Sequence, residues 1–214
     1  MCIFSLYRRK EGLILTHNRD EDYRRVSSPT LISKYIHGVD ATYPLDIQGG
    51  GTWVLTSDLW TTTILNGALK PHIRKESYRQ SRGVFPFELI KYSNVQDYFD
   101  DLELEGIEPF TQMILNNQTW EAWCLRWDEK DKTMLKIEDE IFVTSSATLY
   151  DYREKAYHEH QIKSLTTFNA DNLTDKHSDL FWKKKEEIPV VKTTSMVQLQ
   201  IDNHHKEMRY TRLI

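Results

Sequence analysis

Residues 1–21 read MCIFSLYRRKEGLILTHNRDE. Two short apolar runs, 3–7 and 13–17, flank a polar segment that ends in Gly12, which is the pattern of a β-hairpin. A hairpin returns its second strand beside its first. The charged tetrad Asn18-Arg19-Asp20-Glu21 therefore comes back next to Cys2. Residues 18–29 read as a charged loop. Beyond them, Gly49-Gly50-Gly51 leads into a strand at 52–56, and 60–65 is β-branched and aromatic, hence a second strand.

Residues 71–83 form a basic loop. Spacing of three to four between apolar residues predicts helices over 87–91 and 95–104. Residues 110–115, 120–127 and 134–137 read as a meander, with turns at Asn116-Asn117 and 128–132. Another strand is expected at 141–144. Helices are expected at 149–166 and 174–185, the second supported by an Asp179–Lys183 pair four apart. Strong alternation over 190–201 and 206–213 predicts a final hairpin with its turn at 202–205. Strands, helices, strands, helices and strands in that order fit an α+β fold of two antiparallel sheets covered by helices, not a parallel alternation. No linker or repeat interrupts the chain, so residues 1–214 are read as one domain.

Composition narrows the function. Hydrophobic residues make up 39% of the 214, too many for a disordered chain. No run reaches the roughly 18 apolar residues of a membrane helix. The formal charge of -4 provides no basic field for nucleic acid. Two cysteines, Cys2 and Cys124, make no disulfide framework. The start has no signal-peptide pattern, which points to a soluble cytoplasmic protein. Nucleotide-loop, serine-hydrolase and zinc-helix motifs are all missing. The glycine triplet has neither a following Lys-Ser/Thr nor a helix, so it reads as a tight loop entering a strand. His158 and His160 are two apart and fall on different helix faces, while His204-His205 sits in a turn. Neither pair is spaced for a metal. Arg74, Lys75, Arg79 and Arg82 either meet an anionic ligand or line a solvated loop.

Cys2 stands directly after Met1. If Met1 is removed, one residue carries both a thiol and a free α-amine. The amine, with a pKa of about 7.7–8.0, can accept the proton of its own thiol. Position alone leaves this reading level with an ordinary small residue at a strand start. Arg19 could lower the thiol pKa or hold a carboxylate, and Asp20 could orient the new α-ammonium.

Met1-Cys2, Asn18-Arg19-Asp20-Glu21, Gly49-Gly50-Gly51-Thr52-Trp53 and Leu65-Asn66-Gly67 occur here in order. They are followed by His72-Ile73-Arg74-Lys75, Ser81-Arg82-Gly83, Gly106-Ile107-Glu108-Pro109-Phe110 and Thr144-Ser145-Ser146. This ordered set resembles the NRDE family, also called the transport and Golgi organisation protein 2 family, over nearly the whole chain. The resemblance implies the N-terminal nucleophile hydrolase fold, a four-layer αββα sandwich. Its enzymatic relatives, penicillin V acylases and bile salt hydrolases, imply Cys2 as nucleophile, Arg19 and Asp20 beside it, and Asn66 as an oxyanion donor. Asn18 and Ser145 are the expected substrate-side residues, Ser145 standing where acylases carry a second oxyanion Asn. No match is found for the late arginine of those enzymes, Arg153 being the nearest in sequence. No cofactor is implied.

Two functions follow. One is an N-terminal-cysteine amidohydrolase acting on a small-molecule amide. The other is a non-catalytic binding or carrier protein, with haem as the ligand because eukaryotic family members are linked to haem trafficking.

Overall fold

The computed structural model describes residues 2–181 and 190–214. The chain divides into two compact units, residues 1–25 with 138–214 and residues 26–137. Each is built on one antiparallel sheet.

The first unit holds strands β1 (Cys2–Arg9), β2 (Gly12–Asp22), β10 (Ile141–Ser145), β11 (Val191–Ile201) and β12 (Lys206–Arg212). Their order across the sheet is β10-β1-β2-β11-β12. The expected first and last hairpins are therefore both present, and β2 and β11 join them. One expectation is overturned here: residues 18–22 are strand, not loop. With neighbours on both sides, β2 is buried from Leu13 to Asp20, and Arg19 and Asp20 lie in the sheet because other strands supply their partners.

Alternation sends Ile3 and Ile14 to one face, where they pack with Tyr150, Ile162, Leu173 and Val191. Helices α3 (Tyr152–Lys163) and α4 (Ala170–Asp179) cover that face. The start of α3 is set by a capping box between Asp151 and Glu154, which satisfies two otherwise orphaned N–H groups. For that reason the helix begins after residue 149. Asn169 caps α4, whose Ala170 start precedes the expected residue 174. α4 ends at Asp179, where Leu180 is its C-cap, so the expected continuation is overturned at residues 180–181. Residues 182–185, and with them the Asp179–Lys183 pair, lie outside the described residues.

The second unit is a seven-stranded sheet in sequence order. It runs β3 (Ile32–Ile36), β4 (Val39–Tyr43), β5 (Val54–Thr56), β6 (Trp60–Asn66), β7 (Phe110–Asn116), β8 (Ala122–Trp127) and β9 (Lys132–Ile137). The sequence assigned no element to β3 and β4. Their outward side chains are polar, but His37 and Gly38, at φ 51° and 86°, give the left-handed pair of a two-residue hairpin turn. Trp120, at φ 59°, belongs to the turn before β8. Short helices α1 (Phe85–Leu89) and α2 (Val95–Asp101) pack on this sheet through Phe85, Leu89 and Tyr98. The Phe85 and Phe110 rings stack at 5.0 Å. Fully burying each such side chain contributes about 1.5–3 kcal/mol. The aromatic polar tips find partners: Trp60 Nε1 donates to Tyr92 O at 2.7 Å, and Tyr98 Oη to Gln112 Oε1 at 2.7 Å.

The glycine-rich sequence blocks meet in this unit. A Cβ on Gly51 would stand 2.6 Å from Gly83 O, and the Thr52 N–H donates to that same oxygen at 2.9 Å. The Gly67 N–H donates to Pro109 O at 3.0 Å, and Arg82 Nη1 reaches the same carbonyl at 3.0 Å. The glycine triplet is thus a close backbone crossing at the entry to β5.

Candidate functional site

Cys2 begins β1 directly opposite Arg19 of β2, and Arg19 in turn faces Ser195 of β11. These three share one face of the sheet with Phe4 and His17. Asn18, Asp20 and Ser145 point to the other face, toward α3 and α4. Asn66 closes β6 in the second unit, opposite Phe110. Five of the six expected residues therefore lie in the first unit, on both faces of one sheet end.

The Ser146 N–H donates to Cys2 O at 2.9 Å and fixes the strand start. Cys2 is 2% exposed. Burial pushes its thiol pKa up, with Asp20's charge adding and Arg19's opposing. Arg19 acts on the thiol in the expected direction, but desolvation outweighs it. Cys124, inside β8, is likewise pushed up by burial, to about 11. Limited alkylation of the chain with Met1 in place, near pH 7, should leave both buried thiols largely unmodified. Peptide mapping that found either thiol extensively labelled would contradict this.

A β-bulge in β11, where the register slips between Thr193 and Ser195, gathers three hydroxyl residues around the tetrad. Arg19 Nη1 donates to Thr194 Oγ1 at 3.1 Å, and that hydroxyl donates to Arg19 O at 3.1 Å. Asp20 is fully buried and accepts from Thr193 Oγ1 at 2.5 Å and Tyr150 Oη at 2.6 Å. Burial pushes its pKa up to about 6, against the lowering effect of those two bonds. Glu21 would be raised by burial, but the charges of Arg19 and Arg25 hold it low.

On the helix side, α3 and α4 each place a histidine against a sheet hydroxyl. Ser145 Oγ lies 2.9 Å from His158 Nδ1, and the His158 ring meets Tyr150 edge-on at 4.5 Å. Ser5 Oγ lies 2.8 Å from His177 Nε2. The Asn18 amide is committed to His177, donating to its carbonyl at 2.9 Å and meeting its Nδ1 at 3.1 Å. Burial holds His177 down to about 3, so it is neutral.

The sequence reading missed Tyr150, His158, His177, Thr193 and Thr194. The run Thr193-Thr194-Ser195 in a strand pairing with the tetrad was the available signal. It also missed His17, which is fully buried and has both ring nitrogens without a hydrogen-bond partner among the described residues. Burial holds it well below the usual histidine range. Arg153 lies in the first turn of α3 and is exposed. Among the described residues, no group of three His, Cys, Asp or Glu could hold a metal ion. No helix there is long and apolar enough to cross a membrane.

Taken together, this is an α+β protein with two antiparallel sheets, four α-helices among the described residues, and a cysteine at the first strand position beside a buried Arg-Asp pair. A family model described as Transport and Golgi organisation 2 matches residues 1–212. The chain belongs to that family, as the ordered blocks had indicated. A search of curated proteins found no match.

Proposed function

We propose that the protein is an N-terminal-cysteine amidohydrolase of the N-terminal nucleophile type, acting after Met1 is removed. The observation that carries this reading is Asp20, a carboxyl buried in the sheet next to Cys2 and felt by its thiol. A buried acid of that kind costs stability unless a cation arrives beside it. The α-ammonium created at Cys2 by processing is such a cation.

In the proposed reaction the Cys2 Sγ–H gives its proton to the residue's own α-amine, and Sγ attacks the amide carbonyl. The oxyanion of the tetrahedral adduct needs donors, and the family resemblance gives that role to Asn66 with a backbone N–H. As the C–N bond breaks, the amine's proton passes to the leaving nitrogen. Water then hydrolyses the thioester and restores the thiol. Arg19 holds negative charge near Sγ. Asn18 and Ser145 are better read as scaffold, since their polar groups already bind His177 and His158.

One observation favours a non-catalytic binding or carrier role instead, with haem as a possible ligand. In the chain as it stands Cys2 is buried and its thiol is held protonated. Intact mass followed by incubation with a panel of N-acyl amides separates the two. The enzyme reading expects loss of Met1, an acyl adduct on the Cys2 peptide, and no adduct in Cys2→Ala. Quantitative retention of Met1, or product release undiminished in Cys2→Ala, would sink it.

A further inference from the structure

Three of the four cations of the basic loop, Arg74, Lys75 and Arg82, face carboxylates from elsewhere in the second unit, and Arg79 donates to the Glu103 carbonyl. Arg82 and Arg74 lie 3.0 Å and 3.8 Å from Glu108, and Lys75 lies 3.0 Å from Glu129. Lys132 is held by the carbonyls of Phe99, Asp100 and Leu102. The anionic partner considered for this stretch in the sequence is thus supplied by the chain itself.

Three other cations in the same unit are not neutralised in this way. Lys70, Arg126 and Lys130 line a cleft of about 400 Å³, and their side chains make no hydrogen bond or ion pair among the described residues. That volume lies within the range of small-molecule sites, roughly 300–1,000 Å³. Arg126 stands on β8 beside Thr133 of β9, its direct cross-strand neighbour, and both line the cleft. Asp128 and Asp131 also line it. Asp128 Oδ1 is already taken by the turn, accepting from the N–H groups of Lys130 and Asp131 at 3.0 Å and 2.9 Å. Three cations against two carboxylates leave an excess of one positive charge. At the cleft's edge His72 Nε2 lies 3.3 Å from Glu108, while its Nδ1 is buried and without a partner. Leu69, Pro71 and Pro109 form the apolar part of the wall.

We infer that this cleft binds a small carboxylic acid with an apolar body. The guanidinium of Arg126 offers the planar fork that matches a carboxylate. Lys70 and Lys130 add charge from the rim. A single excess charge suits a monoanion better than a phosphate dianion, and the Leu69–Pro71–Pro109 wall takes the hydrocarbon. This inference stands apart from the chemistry at Cys2.

The test titrates the full chain with hexanoate, and with hexanamide and inorganic phosphate as comparators, by calorimetry or ligand-observed NMR. Hexanoate should saturate, and hexanamide should bind at least about tenfold more weakly, since it lacks the charge. Arg126→Gln should weaken hexanoate by about tenfold or more, and Lys130→Gln, on the exposed turn, by a few-fold. An unchanged melting temperature in Lys130→Gln keeps the result independent of folding, and Cys2→Ala should bind as wild type. Non-saturating hexanoate, equal binding of hexanamide, tighter binding of phosphate, or indifference to both charge variants would overturn the proposal.

Discussion

Gly12→Ala is expected to destabilise the protein by about 4 kcal/mol, the sum of backbone strain and overpacking at one position. Gly12 turns the first hairpin at φ 128°, a region that side chains avoid. A Cβ there would stand 2.0 Å from Ile201 O and 2.9 Å from Asp202 Cα, both backbone atoms that cannot swing aside. The clash would wedge β2 away from the end of β11, so its effect reaches the strand that carries the tetrad. For a chain of this size the loss corresponds to a melting temperature lower by roughly 10 °C. Gly38→Ala is the control. Gly38 has φ 86° but nothing within 4 Å of its Cβ position, so only the left-handed backbone cost of about 1–2 kcal/mol applies. Urea midpoints for the two variants should separate clearly. Equal midpoints would mean that the two hairpins do not meet as described.

The second large effect is a pH dependence owed to Asp20. Its pKa is pushed up to about 6 in the folded chain from a reference value of 3.8. Between those values the folded state binds more proton than the unfolded state, so this group's contribution to stability falls as pH rises through the window. The full cost is present above pH ~6 and is absent below pH ~4, and it amounts to about 3 kcal/mol at 1.36 kcal/mol per pKa unit. Asp20→Asn lacks the titration. Carboxylates other than the adjacent Glu21, whose charge acts on Asp20, contribute equally to both proteins, so the difference between wild type and variant isolates Asp20 and its coupling to Glu21. Denaturation of both at pH 7 and pH 4 should show the gap shifting in favour of wild type by about 3 kcal/mol at the lower pH. Tyr150→Phe removes a donor to the carboxylate and should move the window upward. A gap that does not change with pH would contradict the buried, raised carboxyl.

The parts of this fold that were legible in the sequence are those governed by local rules. The two hairpins of the first unit, the 110–137 meander and the existence of the helices all followed from alternation, helical spacing and turn residues. The tetrad was misjudged for a physical reason. Charges signal solvent unless their partners are known, and the partners of Asp20 come from residues 130 and 173 positions away in sequence. The helix-side polar layer was hidden in the same way. His158 and Ser145 are unremarkable until β10 and α3 pack together, and His177 acquires its partners only across β1 and β2. Helix boundaries depended on caps, and Asp151 overrode an apolar pattern that begins two residues earlier. For the site itself, the sequence singled out Cys2, Arg19 and Asp20, which the structure gathers at one sheet end. It missed the hydroxyls around them because a bulge cannot be read from alternation.

The arrangement of β2 and β11 has a consequence for synthesis on the ribosome. The second unit is one uninterrupted stretch whose strands pair in sequence order, so its contacts become available as it emerges. The first unit is built from both ends of the chain, and β2 gains its second neighbour only when β11 has been made. Long-range pairing of this kind is slow and leaves strand edges exposed while the chain waits. The hairpin that carries Cys2 is made before β10 and β11, the strands that flank it on either side. During that interval both of its edges and the Cys2 thiol are open to solvent. Once β10 pairs with β1 and β11 with β2, both edges are covered and Cys2 is buried, so reagents that reach this thiol freely do so in the nascent chain.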